Sequence, residues 1–259
     1  MPRFDPHPDR RPAIVTGASS GIGAATATAL AAAGHPVVLA ARRLDRLEEL
    51  AATLNAAGAE AVALPLDLAD AASIDAFADA ATRAVGPVDV LVSNAGQVQP
   101  GAALDSDADA FARSIQINLI GTQRLASRIA PAMIQVGHGD LVFITSEVAL
   151  RPRTYMAAYV AAKAGLEALV GAMRMELEGT GVRAGIVRPG QVSTEQGSDW
   201  DPAVLETVLP SWAAWGQLRH GGSLLPSHVA DAVLAMISAP KGSHLPIIEV
   251  QPEAPLVVT

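Results

Sequence analysis

Two side chains capable of acid–base chemistry, Tyr159 and Lys163, lie four residues apart in an Ala-rich stretch. If that stretch is helical, both side chains lie on the same face. A phenol can give or take the proton at a carbonyl oxygen when hydride adds to or leaves the carbon. Lowering the pKa of a tyrosine from about 10 to about 7 requires about 4 kcal/mol. An ammonium about 4 Å away at an effective dielectric of about 20 supplies that amount, so we expect Lys163 to activate Tyr159.

The scarcity of both residue types leaves few alternatives, because the chain contains only two tyrosines and two lysines. Arginine supplies most of the positive charge, so a lysine at position 163 indicates a role that a guanidinium fills poorly. The alternative is a surface pair one helical turn apart. Tyr155, the other tyrosine, lies two turns before Lys163, and we expect it at a helix start or in the wall of a pocket.

A glycine-rich segment, residues 16–23, directly follows an apolar run and leads into a helical stretch. Gly17, Gly21 and Gly23 permit a tight turn and let backbone N–H groups approach a pyrophosphate, to which the helix N-terminus adds partial positive charge. The alternative is a strand–helix turn without a ligand. The flanking strand and helix favour a dinucleotide site.

The residues after the second apolar run bear on the choice of dinucleotide. An NAD enzyme usually has an acidic residue here for the ribose 2′-hydroxyl, but Ala41 stands in its place and Arg42 and Arg43 follow. Charged hydrogen bonds to a 2′-phosphate contribute about 1.5–3 kcal/mol each. NADP(H) is therefore favoured over NAD(H), unless the two arginines are only the polar first turn of a helix.

The scaffold for these residues is indicated by apolar runs that alternate with Ala-rich stretches of helical period. Runs that are apolar on both faces are typical of a parallel sheet covered by helices on each side. The pattern predicts an α/β fold, a single doubly wound Rossmann-type domain with a central parallel sheet flanked by helices. The predicted strands are 13–16, 37–40, 61–66, 88–93, 141–145, 182–187 and 246–250, and the predicted helices are 22–33, 44–57, 73–85, 108–136, 155–178 and 227–238.

The chain divides into a predicted disordered lead, residues 1–11, and one dinucleotide-binding and catalytic domain, residues 12–259. Within the domain, residues 191–226 are rich in Pro, Gly, Ser and Trp and form a predicted substrate loop. All three tryptophans lie in this loop and indicate an apolar lid over a hydrophobic ketone or secondary alcohol. The alternative is that they pack the loop against the domain or against a second subunit.

Composition excludes several classes of function. A net charge of −8 argues against a nucleic-acid partner, and the lack of cysteine excludes disulfides and thiolate sites. No apolar run reaches the roughly 18 residues of a membrane helix. The start of the chain lacks a signal-peptide core, so we expect a cytoplasmic protein with no membrane partner. Arg219, His220 and His228 are too sparse for a metal site, and no metal is predicted.

From about residue 13 to about 194 the chain resembles the classical short-chain dehydrogenase/reductase family. The matching motifs are Thr-Gly-x-x-x-Gly-x-Gly at residues 16–23, Asn-Ala-Gly at 94–96, Tyr-x-x-x-Lys at 159–163 and Pro-Gly at 189–190. The resemblance implies a catalytic set of Asn118, Ser146, Tyr159 and Lys163. In it, Ser146 would bind the substrate oxygen, and Asn118 would bend its helix and hold a water of a proton relay.

The resemblance also implies which residues contact the cofactor. By this resemblance, residues near 67 border the adenine ring of the cofactor, and residues after 188 hold its carboxamide and phosphates. The implied set is Gly17, Ser19, Ser20, Gly21, Ile22, Gly23, Arg42, Arg43, Asp67, Leu68, Asn94, Ala95, Gly96, Tyr159, Lys163, Pro189, Gly190, Val192 and Thr194.

Two residues depart from the family pattern. Glu147 follows Ser146 where a small or apolar residue is usual, and Ala149 replaces a common glycine. An acid there selects a polar or cationic substrate group or faces solvent, and both readings stay open. The candidate substrate-pocket residues are Glu147, Tyr155, Trp200, Trp212 and Trp215.

These features predict an NADP(H)-dependent oxidoreductase that interconverts a carbonyl and a secondary alcohol of a small-molecule substrate. One alternative is a catalytically silent NADP(H)-binding sensor or scaffold. A second is a sugar-nucleotide epimerase or dehydratase, although that branch has a different glycine spacing. The resemblance further implies a homotetramer, or a homodimer, joined through the helices near 108–136 and 155–178.

Overall fold

The computed structural model describes residues 6–197, 200–218 and 221–254. Within these residues the strands of one sheet are β1 (Ala13–Thr16), β2 (Val37–Ala41), β3 (Ala61–Pro65), β4 (Val90–Ser93), β5 (Gly139–Ile144), β6 (Val182–Pro189) and β7 (Ile247–Val250). Their order is β3-β2-β1-β4-β5-β6-β7, and every neighbouring pair is parallel. The predicted doubly wound α/β fold is confirmed.

Helices cover both faces of this sheet. They are α1 (Gly21–Ala32), α2 (Leu44–Ala56), α3 (Ala71–Val85), α4 (Ala108–Ile115), α5 (Gly121–Val136), α6 (Ala157–Glu176), α7 (Pro202–Ala214) and α8 (Pro226–Ser238). Successive strand residues pack on opposite faces: Ile14 joins the core under α3, α5 and α6, whereas Val15 joins the core under α1, α2 and α8. No helix in the described part of the chain is both long enough and apolar enough to span a membrane.

The predicted continuous helix over 108–136 is interrupted. A π-helical turn, Gln116–Ile120, separates α4 from α5. Within it the buried Asn118 side chain donates from Nδ2 to the carbonyl oxygen of Ser114 at 2.9 Å. This bond occupies a carbonyl oxygen that would otherwise accept a backbone N–H of the helix. A side chain inserted in this way widens the turn by one residue.

The predicted substrate loop contains a helix that the sequence pattern did not predict. In α7, the Asp201 carboxylate caps the first turn by accepting from the N–H of Ala203 at 2.8 Å, and Pro202 opens the helix. Asp followed by Pro is a helix-start signal, so this element was recognisable from the sequence. Arg219 and His220, considered above as metal ligands, lie outside the described residues.

The predicted disordered lead extends too far. Residues 1–5 lie outside the described residues, but the Arg11 side chain is buried and ion-paired with Asp89 and Asp140 at the amino ends of the sheet. His7 contacts the carbonyl oxygen of Ala239 at 2.9 Å. The ordered structure therefore begins before residue 12, because these contacts fasten the preceding residues to the domain.

Candidate active site

The glycine-rich turn between β1 and α1 has a backbone that suits glycine. Gly17 and Gly21 have φ of 70° and 54°, in the left-handed region that side chains disfavour. A Cβ at Gly23 would lie 2.2 Å from the carbonyl oxygen of Gly17. Ser20 precedes the helix, and its side chain does not cap the first turn. This tight turn at an uncapped helix N-terminus fits the pyrophosphate of a dinucleotide.

Asn94 fastens the end of β4 to the glycine-rich turn. The N–H groups of Asn94 and Ala95 each donate to Thr16 Oγ1 at 2.9 Å, and Asn94 Nδ2 donates to the Thr16 carbonyl oxygen at 2.8 Å. A Cβ at Gly17 would lie 2.8 Å from Asn94 Nδ2. The Asn-Ala-Gly segment therefore lies directly beside the turn, at the carboxyl edge of the sheet.

Both arginines after β2 are exposed, and Arg43 reaches the glycine-rich turn. The Arg43 guanidinium donates to Ser19 Oγ at 3.0 Å and to Ser20 Oγ at 2.8 Å. One guanidinium and two hydroxyls form a cluster of donors suited to a phosphate. The structure therefore distinguishes two arginines that the sequence left equivalent.

Asp67 and Leu68 follow β3 at the same edge. The Asp67 carboxylate accepts from the N–H of Ala69 at 2.9 Å, and the Asp67 N–H donates to Ser73 Oγ at 3.0 Å. Leu68 is buried. These bonds hold the loop that follows β3 in one conformation beside the predicted adenine position.

The Pro-Gly segment brings Thr194 to the start of α1. Pro189 ends β6, and the Gly190 N–H donates to the carbonyl oxygen of Val250 at 2.8 Å. Val192 forms a parallel bridge with Leu224. A Cβ at Gly21 would lie 3.2 Å from Thr194 Cγ2. The segment and the glycine-rich turn thus form two sides of one groove.

Tyr159 and Ser146 meet at the end of β5. Ser146 precedes a short 3₁₀ turn, Glu147–Ala149, and Tyr159 lies in the first turn of α6 with a buried side chain. Burial raises the pKa of Tyr159, and the Ser146 side chain lies close enough to act in the opposite direction. The two hydroxyls that the sequence assigned to proton transfer and substrate binding are therefore neighbours.

Lys163 and Asn118 both lie beside Gly96. A Cβ at Gly96 would lie 2.7 Å from Asn118 Oδ1 and 3.7 Å from Lys163 Nζ. The ammonium donates to the carbonyl oxygen of Ile144 at 2.8 Å and lies 5.6 Å from the centroid of the Tyr159 ring. The structure brings together all four side chains of the predicted catalytic set.

The pKa values correct one expectation. Burial raises the pKa of Tyr159 to about 12, although Ser146 and the charge of Arg153 act in the opposite direction. Burial also lowers the pKa of Lys163 to about 8. Lys163 does not bring the pKa of Tyr159 toward 7 in this structure, because desolvation of the phenol dominates and the ammonium lies 5.6 Å from the centroid of its ring.

Two of the three tryptophans cover Tyr159. Trp212 is buried with Tyr159 and Met156 in a small apolar cluster, and Trp200 packs edge-on against Trp212 with centroids 6.2 Å apart. Trp215 is 74% exposed. The loop therefore packs on the domain, as one of the two alternatives held, and its packed face lies against the tyrosine.

Tyr155 has a strained backbone beside this cluster. Its φ of 60° is left-handed, and among the described residues it is the one non-glycine with positive φ. Its carbonyl oxygen accepts from the N–H of Gly101 at 2.8 Å, and its side chain packs against the cluster around Tyr159. Strain of this kind is concentrated at functional sites. The residue lies two residues before α6, at the predicted helix start, and its place in a substrate pocket stays a prediction.

The family model described as short chain dehydrogenase matches residues 11–204, about three quarters of the chain. The chain belongs to this family. It is therefore an oxidoreductase of the class that acts on CH–OH donors.

Curated relatives of this short-chain dehydrogenase include two from different kingdoms. It is 34% identical over 240 residues to glycine betaine reductase of Emericella nidulans, covering 93% of this chain but only 18% of that protein. It is 31% identical over 236 residues to 2,3-dihydro-2,3-dihydroxybenzoate dehydrogenase of Bacillus subtilis, covering 89% of this chain and 90% of the relative.

Among solved structures, this short-chain dehydrogenase is similar to an alcohol dehydrogenase from the archaeon Thermococcus sibiricus complexed with 5-hydroxy-NADP. The two chains are 31% identical, with a TM-score of 0.80, over 93% of this chain and 96% of the other.

Arg153 is a site residue that the sequence analysis missed. It is largely buried, forms an ion pair with Glu147, and stacks over the Trp212 ring at 5.1 Å from the centroid. Its charge lowers the pKa of Tyr159. Glu147 therefore neither faces solvent nor stands alone beside the pocket, because arginine neutralises it. The Arg-Pro-Arg run at 151–153 is the only sequence signal of this pair.

A second missed pair lies beneath Lys163. Glu167, one helical turn further along α6, accepts from Arg188 Nη2 at 2.7 Å and from Thr145 Oγ1 at 2.8 Å. Its charge raises the pKa of Lys163, against the larger effect of burial. Arg188 and Thr145 thus hold the carboxylate that stabilises the lysine in its charged form.

A cavity of about 490 Å³ opens beside the 3₁₀ turn. Its walls combine the Glu147–Arg153 pair with the amide side chains of Gln191 and Gln217 and the exposed ring of Trp215. The wall of this cavity is therefore mainly charged and polar, and the Trp215 ring is its aromatic surface.

Proposed function

We propose that this protein is an NADP(H)-dependent oxidoreductase that interconverts a carbonyl and a secondary alcohol, with Tyr159 as the proton-transferring residue. The observation that carries the proposal is the meeting of Tyr159, Ser146, Lys163 and Asn118 at the carboxyl edge of the sheet, beside the glycine-rich turn. Ligands of open α/β sheets bind at this edge.

The raised pKa of Tyr159 supports a role as general acid. With a pKa of about 12 the phenol keeps its proton at neutral pH, and carbonyl reduction requires a proton for the developing alkoxide. The Ser146 hydroxyl donates a second hydrogen bond to the same oxygen. Lys163 would return the proton from solvent through a water that Asn118 helps to hold. The chemistry that NADP(H) supplies when bound is hydride transfer at its nicotinamide ring.

The preference for NADP(H) is supported by Arg43. Its guanidinium already contacts both serine hydroxyls of the glycine-rich turn, where a 2′-phosphate would find charge-assisted donors. The similar archaeal alcohol dehydrogenase was solved with a 5-hydroxy derivative of NADP. In a fluorescence titration we expect a lower dissociation constant for NADPH than for NADH, and equal affinities would contradict the assignment.

The substrate we propose is a ketone or secondary alcohol with an apolar body. The apolar cluster of Trp212, Met156 and Val148 beside Tyr159 supports the apolar body, and the exposed Trp215 ring in the cavity beside Glu147 and Arg153 offers it a further contact. We further propose a homotetramer or homodimer joined through α5 and α6. Exposed apolar side chains on these helices, Ile134, Val136 and Met175, support such contacts.

The test is a screen of NADPH oxidation over a panel of ketones with three proteins. Tyr159→Phe should lose about 10²- to 10⁴-fold in activity, because it lacks the transferable proton. Tyr155→Phe is the matched control and should retain activity within a few-fold. NADPH should bind all three proteins with similar affinity. Unchanged activity in Tyr159→Phe, or none in the native protein, would favour the silent sensor or scaffold.

A further inference from the structure

An acidic residue of the loop after β6 pairs with the arginines of the dinucleotide site. Glu195 accepts from Arg43 Nη1 at 3.1 Å and from Arg46 Nη1 at 2.9 Å. The same Arg43 side chain donates to Ser19 and Ser20. One carboxylate therefore shares a guanidinium with the hydroxyls proposed to hold a 2′-phosphate.

This ion pair joins two distant parts of the sheet edge. Arg43 follows β2, whereas Glu195 follows the segment after β6, and β1, β4 and β5 lie between these strands. Thr194 lies against Gly21 at the start of α1, so the neighbouring Glu195 extends past the helix N-terminus toward α2. A cavity of about 410 Å³ lies here, with Ser19, Arg46 and Glu195 in its lining.

We propose that Glu195 is a specificity-determining residue of the dinucleotide site, where its carboxylate competes with the 2′-phosphate of NADP(H) for Arg43 and Arg46. The inference rests on the proposed NADP(H) function. A phosphate carries more charge and more acceptor oxygens than a carboxylate, so it takes Arg43 from Glu195 when both are present. NAD(H) lacks this phosphate and leaves the ion pair intact.

The charge state of Glu195 agrees with this competition. Its hydrogen bonds and ion pairs with Arg46 and Arg43 hold the pKa of Glu195 below its ordinary value, so the carboxylate is ionised at neutral pH. The side chains of Arg43 and Glu195 are about half exposed, at 43% and 53%. Exposed ion pairs are weak, so the effect on affinity should be about two- to fivefold.

The experiment uses two nucleotides that lack nicotinamide, which separates binding from catalysis. Adenosine 2′,5′-bisphosphate carries the 2′-phosphate, and 5′-AMP does not. Calorimetric dissociation constants are measured for the native protein, Glu195→Gln and Glu49→Gln. Glu49 lies on the wall of the same cavity, on α2, so its substitution removes an equal charge without breaking the ion pair.

We expect Glu195→Gln to bind adenosine 2′,5′-bisphosphate about two- to fivefold more tightly than the native protein, with 5′-AMP unchanged. Glu49→Gln should change neither constant by as much as twofold. Unchanged or weaker bisphosphate binding by Glu195→Gln would overturn the inference, since Glu195 would then support the arginines rather than compete. Equal gains in both variants would also overturn it, because the effect would be one of general charge.

Failure of the proposed function appears in a different measurement. If the native protein does not prefer adenosine 2′,5′-bisphosphate over 5′-AMP, the NADP(H) assignment fails. The comparison of Glu195→Gln with the native protein still tests the competition, because it measures only how the substitution changes the dissociation constant of adenosine 2′,5′-bisphosphate. A melting temperature for each variant verifies that it is folded.

Discussion

At the amino ends of the central strands, buried charges are paired with opposite charges. Arg11 donates to Asp89 at 2.6 Å and also bonds Asp140, and Asp140 accepts two further bonds from Arg183 at 2.7 and 2.8 Å. Both aspartates are buried. Each carboxylate thus has a guanidinium partner, and the cluster ties the start of the chain to β4, β5 and β6.

At the carboxyl ends, the buried titratable groups are only partly compensated. Lys163 donates to a carbonyl oxygen rather than a carboxylate, and Tyr159 is buried with a pKa raised to about 12. The nearest acid on the same helix face, Glu167, is held by Arg188. Burying a titratable side chain without a full set of partners costs free energy. These residues of the carboxyl edge therefore lower the stability of the fold, unlike the paired charges of the amino edge.

The comparison teaches that one sheet uses the same kinds of side chain for two purposes. Where charges are fully paired they hold the structure, and the under-paired groups include the side chains proposed above to transfer a proton. Perturbed titratable groups in a cleft are a physical indication of a functional site. The difference can be tested by removing charge from each edge in turn.

The largest expected effect is at the amino edge. Asp140→Asn leaves Arg11 and Arg183 buried without their shared partner, and breaking such a pair costs about 3–5 kcal/mol. Urea unfolding measures the loss. Asp75→Asn, which breaks exposed ion pairs with Arg124 and Arg128, is the control and should cost much less stability, because water screens those charges. Similar losses in the two variants would remove the distinction between a structural edge and an ordinary surface.

At the carboxyl edge, removing a buried charge should raise the stability of the protein instead of lowering it. Burial holds the pKa of Lys163 at about 8 against an ordinary 10.5, so charging this lysine opposes folding below pH 8. Lys163→Met should therefore be more stable than the native protein at pH 7, by up to about 3 kcal/mol, while losing carbonyl reduction. Lys241→Met, at the other lysine, should change neither property.

The pH dependence of that gain gives a second measurement. Between pH 8 and 10.5 the unfolded chain still holds a proton that the folded chain has lost, so native stability rises with pH. The advantage of Lys163→Met should accordingly shrink across this window and be constant below it. A variant less stable than the native protein at pH 7 would mean that the bond to the Ile144 carbonyl outweighs the desolvation of the ammonium.

The smallest effect concerns the strain at Tyr155. Because its φ is 60°, a glycine there should be about 1 kcal/mol more stable than an alanine, although both lose the same ring contacts. At Ala157, in the first turn of α6, glycine should instead be less stable than the native alanine by about 0.5–1 kcal/mol. Thermal unfolding of Tyr155→Gly, Tyr155→Ala and Ala157→Gly measures both differences. If glycine is less stable than alanine at both positions, the backbone of Tyr155 carries no strain.

Much of the fold and of the site followed from local pattern. The four-residue spacing of Tyr159 and Lys163 predicts a shared helix face, and α6 has that geometry. Continuous apolar runs predicted the parallel sheet because each strand is covered on both faces. The helix α7 escaped prediction because the Pro-, Gly- and Ser-rich composition of residues 191–226, with Pro210 inside the helix itself, favoured a loop, although Asp201 and Pro202 mark its start.

The sequence by itself determined which chemical groups this protein has and where they lie along the chain, because spacing sets helix faces and strand ends. Only the tertiary structure decided which groups are partners. Glu195 lies 152 residues from Arg43, and Glu167 lies 21 from Arg188. The tertiary structure also decided that the pKa of Tyr159 is raised and not lowered. Desolvation depends on all the residues packed around a group, and a local sequence pattern does not show which residues these are.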